Sequence, residues 1–135
     1  MTAPAAGRPA LETAQLAITG LMAVLVLVMA AIAGRSLFGT ADIVIHGFIG
    51  NGVFALALVA ALLAFVTEAP GRIVIGAMAF LLLTFAQVGL GYVGRDTLEA
   101  AAWHIPNGVL LMGIATFQFA SLLGERRGRG PGGAG

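Results

Sequence analysis

Four long apolar runs separated by three short polar breaks make up most of this chain. The runs cover residues 13–33, 41–66, 72–93 and 98–123, and each supplies the roughly 20 residues that a helix needs to cross a bilayer. The breaks read GRSLFGTAD, TEAPGR and GRDTLE, in which charges accompany glycine or proline and end a helix in water. Because such short connections join antiparallel neighbours, the pattern predicts an all-α, integral membrane, up-down-up-down four-helix bundle.

Composition agrees with a membrane location. The 135 residues are 59% hydrophobic and 10% charged, with a mean hydropathy of +1.01, which lies outside the range of soluble domains. The chain has no cysteine and no lysine, which excludes disulfides, thiolate metal sites, thioether-linked haem and Schiff-base chemistry. We expect a lipid bilayer around the bundle, a membrane redox partner or a second copy beside it, and no nucleic acid.

The arginines predict the orientation. Five lie on one side of the expected bundle, at positions 8, 72, 126, 127 and 129, and only Arg35 and Arg95 lie on the other. The positive-inside rule then places both termini in the cytoplasm, and the alanine, glycine and arginine bias suits the inner membrane of a GC-rich bacterium. Residues 1–12 are expected to be a cytoplasmic segment and residues 124–135 a disordered basic cytoplasmic tail.

A second interpretation of the first span is a cleaved signal peptide. The sequence Ala31-Ile32-Ala33 resembles a signal-peptidase site. The apolar stretch before it is longer than the roughly 7 to 15 residues of a signal peptide, which favours a retained helix.

The two histidines are predicted to lie at one depth. His46 and His104 each come five or six residues into an even-numbered span, which is roughly 8 Å below the helix end. Gln87 reaches the same level from the third span, and Asn51 and Asn107 lie slightly deeper. Ionisable groups inside a membrane are costly and usually face the bundle interior.

The surroundings of the histidines repeat along the chain. Each histidine follows a Gly-Arg pair and a short polar loop, and Asn-Gly-Val comes shortly after it. The order predicts an ancient duplication of one helical hairpin, with the histidines related by a pseudo-two-fold axis along the membrane normal. Chance similarity between apolar helices is the alternative.

Two inward histidines on diagonal helices have the arrangement of axial haem ligands. The candidate site comprises His46 and His104 as metal ligands, and the small and polar residues at their level as further cofactor contacts. These further residues are Gly50, Gly108, Gln87, Asn107, Arg35 and Arg95. The glycines would admit a flat macrocycle, the arginines would pair with propionates, and Phe48, Phe54, Phe85 and Trp103 could pack against it.

Other interpretations of the same residues remain open at this point. The histidines, Gln87 and the asparagines could be hydrogen-bonded packing residues between helices. A zinc site would need three or four ligands, and a proton relay would need polar groups in the inner half of the bundle. Ala100, four residues before His104, also resembles the spacing in bacteriochlorophyll-binding helices.

At IHGFIGNGVFALALVAALLAF and WHIPNGVLLMGIATF the chain resembles one half of haem A synthase. It is also similar to small four-helix bacterial membrane proteins and to bis-histidine b-type cytochromes. The resemblance implies His46 and His104 as axial ligands of haem b. The chain corresponds to only one half of the synthase and has no cysteine pair, which argues against catalysis of haem modification.

The sequence therefore predicts a small membrane protein with one haem b between the second and fourth helices. Electron transfer, haem handling and sensing are the functions that fit, and enzymatic activity is not expected. The alternative is a non-enzymatic accessory or structural subunit of a larger membrane complex, without a cofactor.

Overall fold

The computed structural model describes residues 8–128. They form four helices, α1 (Arg8–Leu37), α2 (Ile43–Val66), α3 (Gly71–Val93) and α4 (Leu98–Gly128). Each helix is long and apolar enough to cross a membrane, and residues 8–128 contain no strand. The predicted all-α four-helix membrane bundle is confirmed, and the chain is a multi-pass membrane protein.

The helices pack in a closed ring. α1 packs against α2, α2 against α3, α3 against α4, and α4 against α1. Within residues 8–128, the backbone of α1 is not in contact with that of α3, and the backbone of α2 is not in contact with that of α4. The two even-numbered helices are therefore diagonal neighbours, as short connections in an up-down bundle require.

Two helices are longer than the apolar runs predict. α1 begins at Arg8 and continues to Leu37, so residues 8–12 are helical and the Ala31-Ile32-Ala33 sequence lies inside a continuous helix. α4 continues past residue 123 to Gly128, so the beginning of the predicted tail is helical. Residues 1–7 and 129–135, which hold the rest of both predicted terminal segments, lie outside the described residues.

Small residues let the helices approach closely in the core. α2 buries Ala57, Ala60, Ala61 and Ala64, and larger side chains from the other helices pack against this alanine face. Large apolar side chains such as Val109, which is 70% exposed, point away from the bundle. In water such a surface would aggregate, whereas in a bilayer it contacts lipid.

The two ends of the bundle differ in their polar contacts. We call the end with residues 67–70, the start of α1 and the end of α4 the termini end, and the end with residues 38–42 and 94–97 the histidine end. At the termini end Arg8 pairs with Glu68 at 3.2 Å and donates to the Thr67 carbonyl at 2.8 Å. Arg72 pairs with Glu125 there, which links α3 to α4.

The helices form two hairpins, α1–α2 and α3–α4. Buried residues of the first hairpin are separated from buried residues of the second by the same number of positions as His46 from His104, and we call this separation the histidine interval. Every buried residue of α1 corresponds to a buried residue of α3 at this interval, and the buried residues of α4 correspond to buried residues of α2. The pairs are Gln15 and Ile73, Thr19 and Ala77, Met22 and Phe80, Val26 and Thr84, Val53 and Leu111, Ala57 and Ala115, and Ala60 and Gln118. The two hairpins thus bury equivalent positions along their helices.

The two Asn-Gly-Val sequences do not follow the histidine interval. Asn51 and Asn107 lie slightly closer together along the chain than the two histidines do, so they do not occupy equivalent positions. Asn51 is exposed, whereas Asn107 is half-buried. The predicted relation between the two histidines agrees with the burial pattern, but the asparagines match only in chain order.

Gly94 and Gly34 provide a matched test of hairpin packing. A Cβ at Gly94 would lie 2.7 Å from the Leu90 carbonyl oxygen and 3.1 Å from the Ala101 nitrogen, whereas a Cβ at Gly34 would meet nothing within 4 Å. We expect Gly94→Ala to reduce the free energy of unfolding by about 1–3 kcal/mol, because backbone cannot move aside easily. Gly34→Ala should be neutral or stabilising, since alanine favours a helix by about 1 kcal/mol over glycine.

Denaturant unfolding in detergent, followed by the fluorescence of the single tryptophan, measures both effects. Equal stability of the two variants would contradict the close approach at Gly94.

Candidate functional site

The structure brings the two histidines together across the diagonal of the bundle. The ring centroids of His46 on α2 and His104 on α4 are 5.9 Å apart, and the ring planes are inclined by 56°. Both residues are half-buried. The rings face each other at one level, as the positions of the residues in their helices predict.

Each imidazole is held by one backbone carbonyl. Nδ1 of His46 lies 3.0 Å from the Met29 carbonyl oxygen, and Nδ1 of His104 lies 3.1 Å from the Gln87 carbonyl oxygen. Because a carbonyl oxygen only accepts, Nδ1 is the donor, and a neutral ring then keeps the lone pair of Nε2 available. A metal-binding histidine is typically oriented in this way by a hydrogen bond from its other ring nitrogen.

The two half-sites are built alike. In each hairpin the carbonyl that accepts from the histidine belongs to the residue 17 positions earlier. The side chain of that residue covers the glycine four positions after the histidine. A Cβ at Gly50 would lie 3.1 Å from Met29 Cε, and a Cβ at Gly108 would lie 3.1 Å from Gln87 Nε2.

Gln87 and Asn107 form a polar clamp between α3 and α4. The Gln87 side chain donates from Nε2 to the His104 carbonyl at 3.0 Å and accepts from Asn107 Nδ2 at 2.7 Å. Asn107 also donates to the Leu83 carbonyl at 3.0 Å. The clamp fixes the backbone and the ring of His104, so both residues and Gly108 support the histidine.

The two arginines are not equivalent. Arg35 donates to the Thr40 carbonyl within its own connection. Arg95 lies over the Tyr92 ring, 5.0 Å from its centroid, and its Nη2 would be 3.8 Å from a Cβ at Gly47. Only Arg95 therefore extends to the residue next to His46.

The aromatic residues proposed as cofactor contacts are mostly outside the site. Phe48 is 80% exposed and Trp103 is 64% exposed, so both face the surroundings of the bundle. Phe54 and Phe85 contact each other, with ring centroids 6.1 Å apart. Asn51 donates to the Tyr92 hydroxyl at 3.1 Å, which is an interhelical contact between α2 and α3.

Three residues of the site have no distinctive sequence pattern. Met29 supplies the carbonyl for His46, Gly91 leaves room for the His104 ring, whose Cε1 would be 3.1 Å from a Cβ there, and Gly47 faces Arg95. The separation between carbonyl and histidine, which is the same in both hairpins, is the feature from which Met29 could have been found.

The spacing of the rings suits one metal ion between them. Two metal–nitrogen bonds of about 2 Å, plus about 1 Å from each nitrogen to its ring centre, give a centroid separation of about 6 Å. No group of three or more histidine, cysteine, aspartate or glutamate residues occurs among residues 8–128. Among residues of these four types, the described part of the chain thus brings two, His46 and His104, together at this level.

The chain matches no known family model, no curated protein and no solved structure.

The equivalence of Met29 and Gln87 allows the clamp to be tested. Gln87→Met gives the second hairpin the residue of the first and removes two hydrogen bonds between α3 and α4. We expect it to reduce the free energy of unfolding by about 1–2 kcal/mol, the size of interhelical hydrogen bonds in membranes. Met29→Leu, which changes the equivalent position without removing a hydrogen bond, should shift stability by less. Thermal unfolding in detergent compares them, and equal losses would contradict the clamp.

Proposed function

We propose that this protein binds one haem b between α2 and α4, with His46 and His104 as axial ligands, and transfers electrons in the membrane. One observation carries the proposal: two imidazoles lie 5.9 Å apart, and each commits Nδ1 to a backbone carbonyl. The arrangement leaves two Nε2 atoms as the ligands of a shared site.

The number of ligands favours a macrocycle over a bare ion. A zinc ion takes four ligands, at least three of them from the protein in most sites, and the described residues offer two at this level. A porphyrin brings four nitrogens, so two axial histidines complete its iron. The pseudo-two-fold relation of the hairpins also favours a ligand that takes one equivalent bond on each face.

The space beside the rings fits this proposal in part. Met29 covers Gly50, but its flexible thioether chain can adopt another rotamer and clear that surface. Gln87 is fixed by its hydrogen bonds, so Gly108 stays covered. We therefore assign macrocycle contact to the Gly50 side and support of His104 to the Gly108 side.

The residues of the chain have distinct tasks in this proposal. His46 and His104 bind the iron, their carbonyl partners orient the rings, and the clamp keeps the α4 side rigid. Arg95, next to Gly47, is placed to pair with a propionate, whereas Arg35 is engaged with its own connection. When bound, the haem supplies a one-electron couple, and two axial histidines leave no open position for oxygen.

We further propose that the termini end faces the cytoplasm of a bacterium and that a membrane protein supplies or accepts the electron. The arginine distribution of five against two supports this orientation. The redox partner would approach the histidine end, where the candidate site lies.

The haem proposal is tested by absorbance. Protein purified from haem-supplemented cells should show a low-spin reduced-minus-oxidised spectrum, and His46→Ala and His104→Ala should each remove it because each variant loses one axial ligand. Asn51→Ala is the matched control, since Asn51 is exposed and contacts Tyr92, and it should keep the spectrum.

A folded but colourless protein that takes up no added haem would contradict the proposal and favour an accessory subunit with hydrogen-bonded histidines. Loss of the spectrum in Asn51→Ala as well would mean that the spectrum reports folding and not ligation.

The orientation is tested with single cysteines in this cysteine-free chain. Thr40→Cys lies at the histidine end and Ala69→Cys at the termini end. In intact bacterial spheroplasts a membrane-impermeant maleimide should label the first and not the second, because only the histidine end faces outward. The reverse labelling pattern would contradict the proposed orientation, and inverted vesicles provide the complementary control.

A further inference from the structure

A second group of buried polar side chains lies far from the histidines, at the termini end. Gln15, Thr19, Thr67 and Gln118 are only 2%, 4%, 3% and 4% exposed. Thr67 donates to Gln15 Oε1 at 3.0 Å. Because an α-helix rises about 1.5 Å per residue, the stretch of α4 from His104 to Gln118 separates the two sites by about 21 Å.

Gln118 has one satisfied and one unsatisfied end. Its Nε2 donates to the Ile73 carbonyl at 2.8 Å, but its Oε1 is buried without a hydrogen-bond partner in the described part of the chain. Rotating the Gln118 amide so that its oxygen and nitrogen change places would not satisfy it, because Oε1 would then face the Ile73 carbonyl oxygen, which is also an acceptor. Gly76 leaves the room that the Gln118 side chain occupies, since a Cβ at position 76 would lie 2.6 Å from Gln118 Cδ.

A small cavity lies beside this amide. Its volume, taken as the space that the centre of a water molecule can occupy, is about 10 Å³. Its lining includes Gln15, Thr19, Met22 and Gln118. This volume is close to the smallest space that holds one ordered water, which also needs polar partners.

A larger vestibule of about 140 Å³ lies next to the cavity. Its lining includes Glu12, Thr67 and Arg126, and Gln15 and Leu122 line both spaces. The cavity and the vestibule are therefore neighbours that share Gln15 and Leu122 as lining residues.

The contact between α2 and α3 shows that the fold does not require polar groups at these positions. The residues equivalent to Gln15, Thr19 and Gln118 at the histidine interval are Ile73, Ala77 and Ala60, and all three are buried and apolar. Apolar residues thus fill the equivalent positions where α2 packs against α3. A polar set only where α1 packs against α4 indicates a ligand that hydrogen-bonds.

We propose that this cavity is a binding site for a single water molecule, which donates a hydrogen bond to Gln118 Oε1 and enters through the vestibule. Water is the occupant because the space fits one such molecule, the unsatisfied atom is an acceptor, and the vestibule opens at the polar end of the bundle. Gln15 and Thr19 offer the remaining polar contacts. The proposal does not depend on haem.

In this proposal, water that enters the core from the termini end reaches no deeper than Gln118. Beyond Met22 the buried core cluster is apolar and includes Val26, Val53 and Leu111, and the buried Thr84 hydroxyl donates to the Phe80 carbonyl of its own helix. Water bound to Gln118 therefore remains at the termini end and is separated from the histidines by a dry layer.

X-ray radiolytic footprinting in lipid nanodiscs tests the proposal, because hydroxyl radicals formed from bound water oxidise the side chains beside it. Met22 lines the cavity and is 3% exposed, so it should become sulfoxide several-fold faster than the half-buried Met112. Gln118→Leu and Thr19→Val should each slow Met22 towards the rate of Met112. Thr116→Val is the matched control, because Thr116 is exposed and bonds only to its own helix, and it should leave the rate unchanged.

A Met22 rate no higher than that of Met112 in the folded wild-type chain would overturn the proposal. An unchanged rate in folded Gln118→Leu would overturn the assignment of the water to Oε1. If that variant does not fold, the near-isosteric Thr19→Val decides, since an unchanged Met22 rate there would contradict a water in this cavity.

Discussion

The hydrogen bond from each histidine Nδ1 to a backbone carbonyl of the preceding helix is the interaction on which the candidate site depends. A polar ring inside a membrane must find a partner within the protein, because hydrocarbon offers none. A carbonyl partner fixes both the rotation of the ring and the position of its proton. The two rings can therefore face each other at 5.9 Å with the same nitrogen available on each, which a pair of unrestrained histidines would not achieve.

The repeated hairpin explains why two such bonds occur at one depth. When one hairpin carries a histidine and its carbonyl partner, a second copy packed around a pseudo-two-fold axis places an identical half-site opposite. The copies then differ where the sequence differs. His104 lies in a polar clamp formed by Gln87 and Asn107, whereas His46 lies beside the apolar side chain of Met29. One histidine is thus held more rigidly than the other.

Hydropathy alone was sufficient to predict the four helices, their order and the diagonal relation of α2 and α4, because bilayer thickness and short connections leave few alternatives. The level of the histidines followed from helix geometry. The contacts of the two glycines could not be predicted, because each is covered by a side chain from another helix. Met29 covers Gly50, and Gln87 covers Gly108. The equivalence of Asn51 and Asn107 was inferred from residue identity, but burial shows that only the histidine interval relates the hairpins.

The apolar layer between the two polar ends limits what the bundle can transport. A proton crossing the membrane needs a continuous chain of ionisable or hydrogen-bonding groups, and an electron does not. Between the level of Gln87 and that of Gln118 the buried core cluster of the described residues is aliphatic and aromatic, and the Thr84 hydroxyl is engaged with the Phe80 carbonyl of its own helix. A redox centre at the histidine end would therefore exchange protons on that side only. This favours an electron carrier over a proton-translocating role.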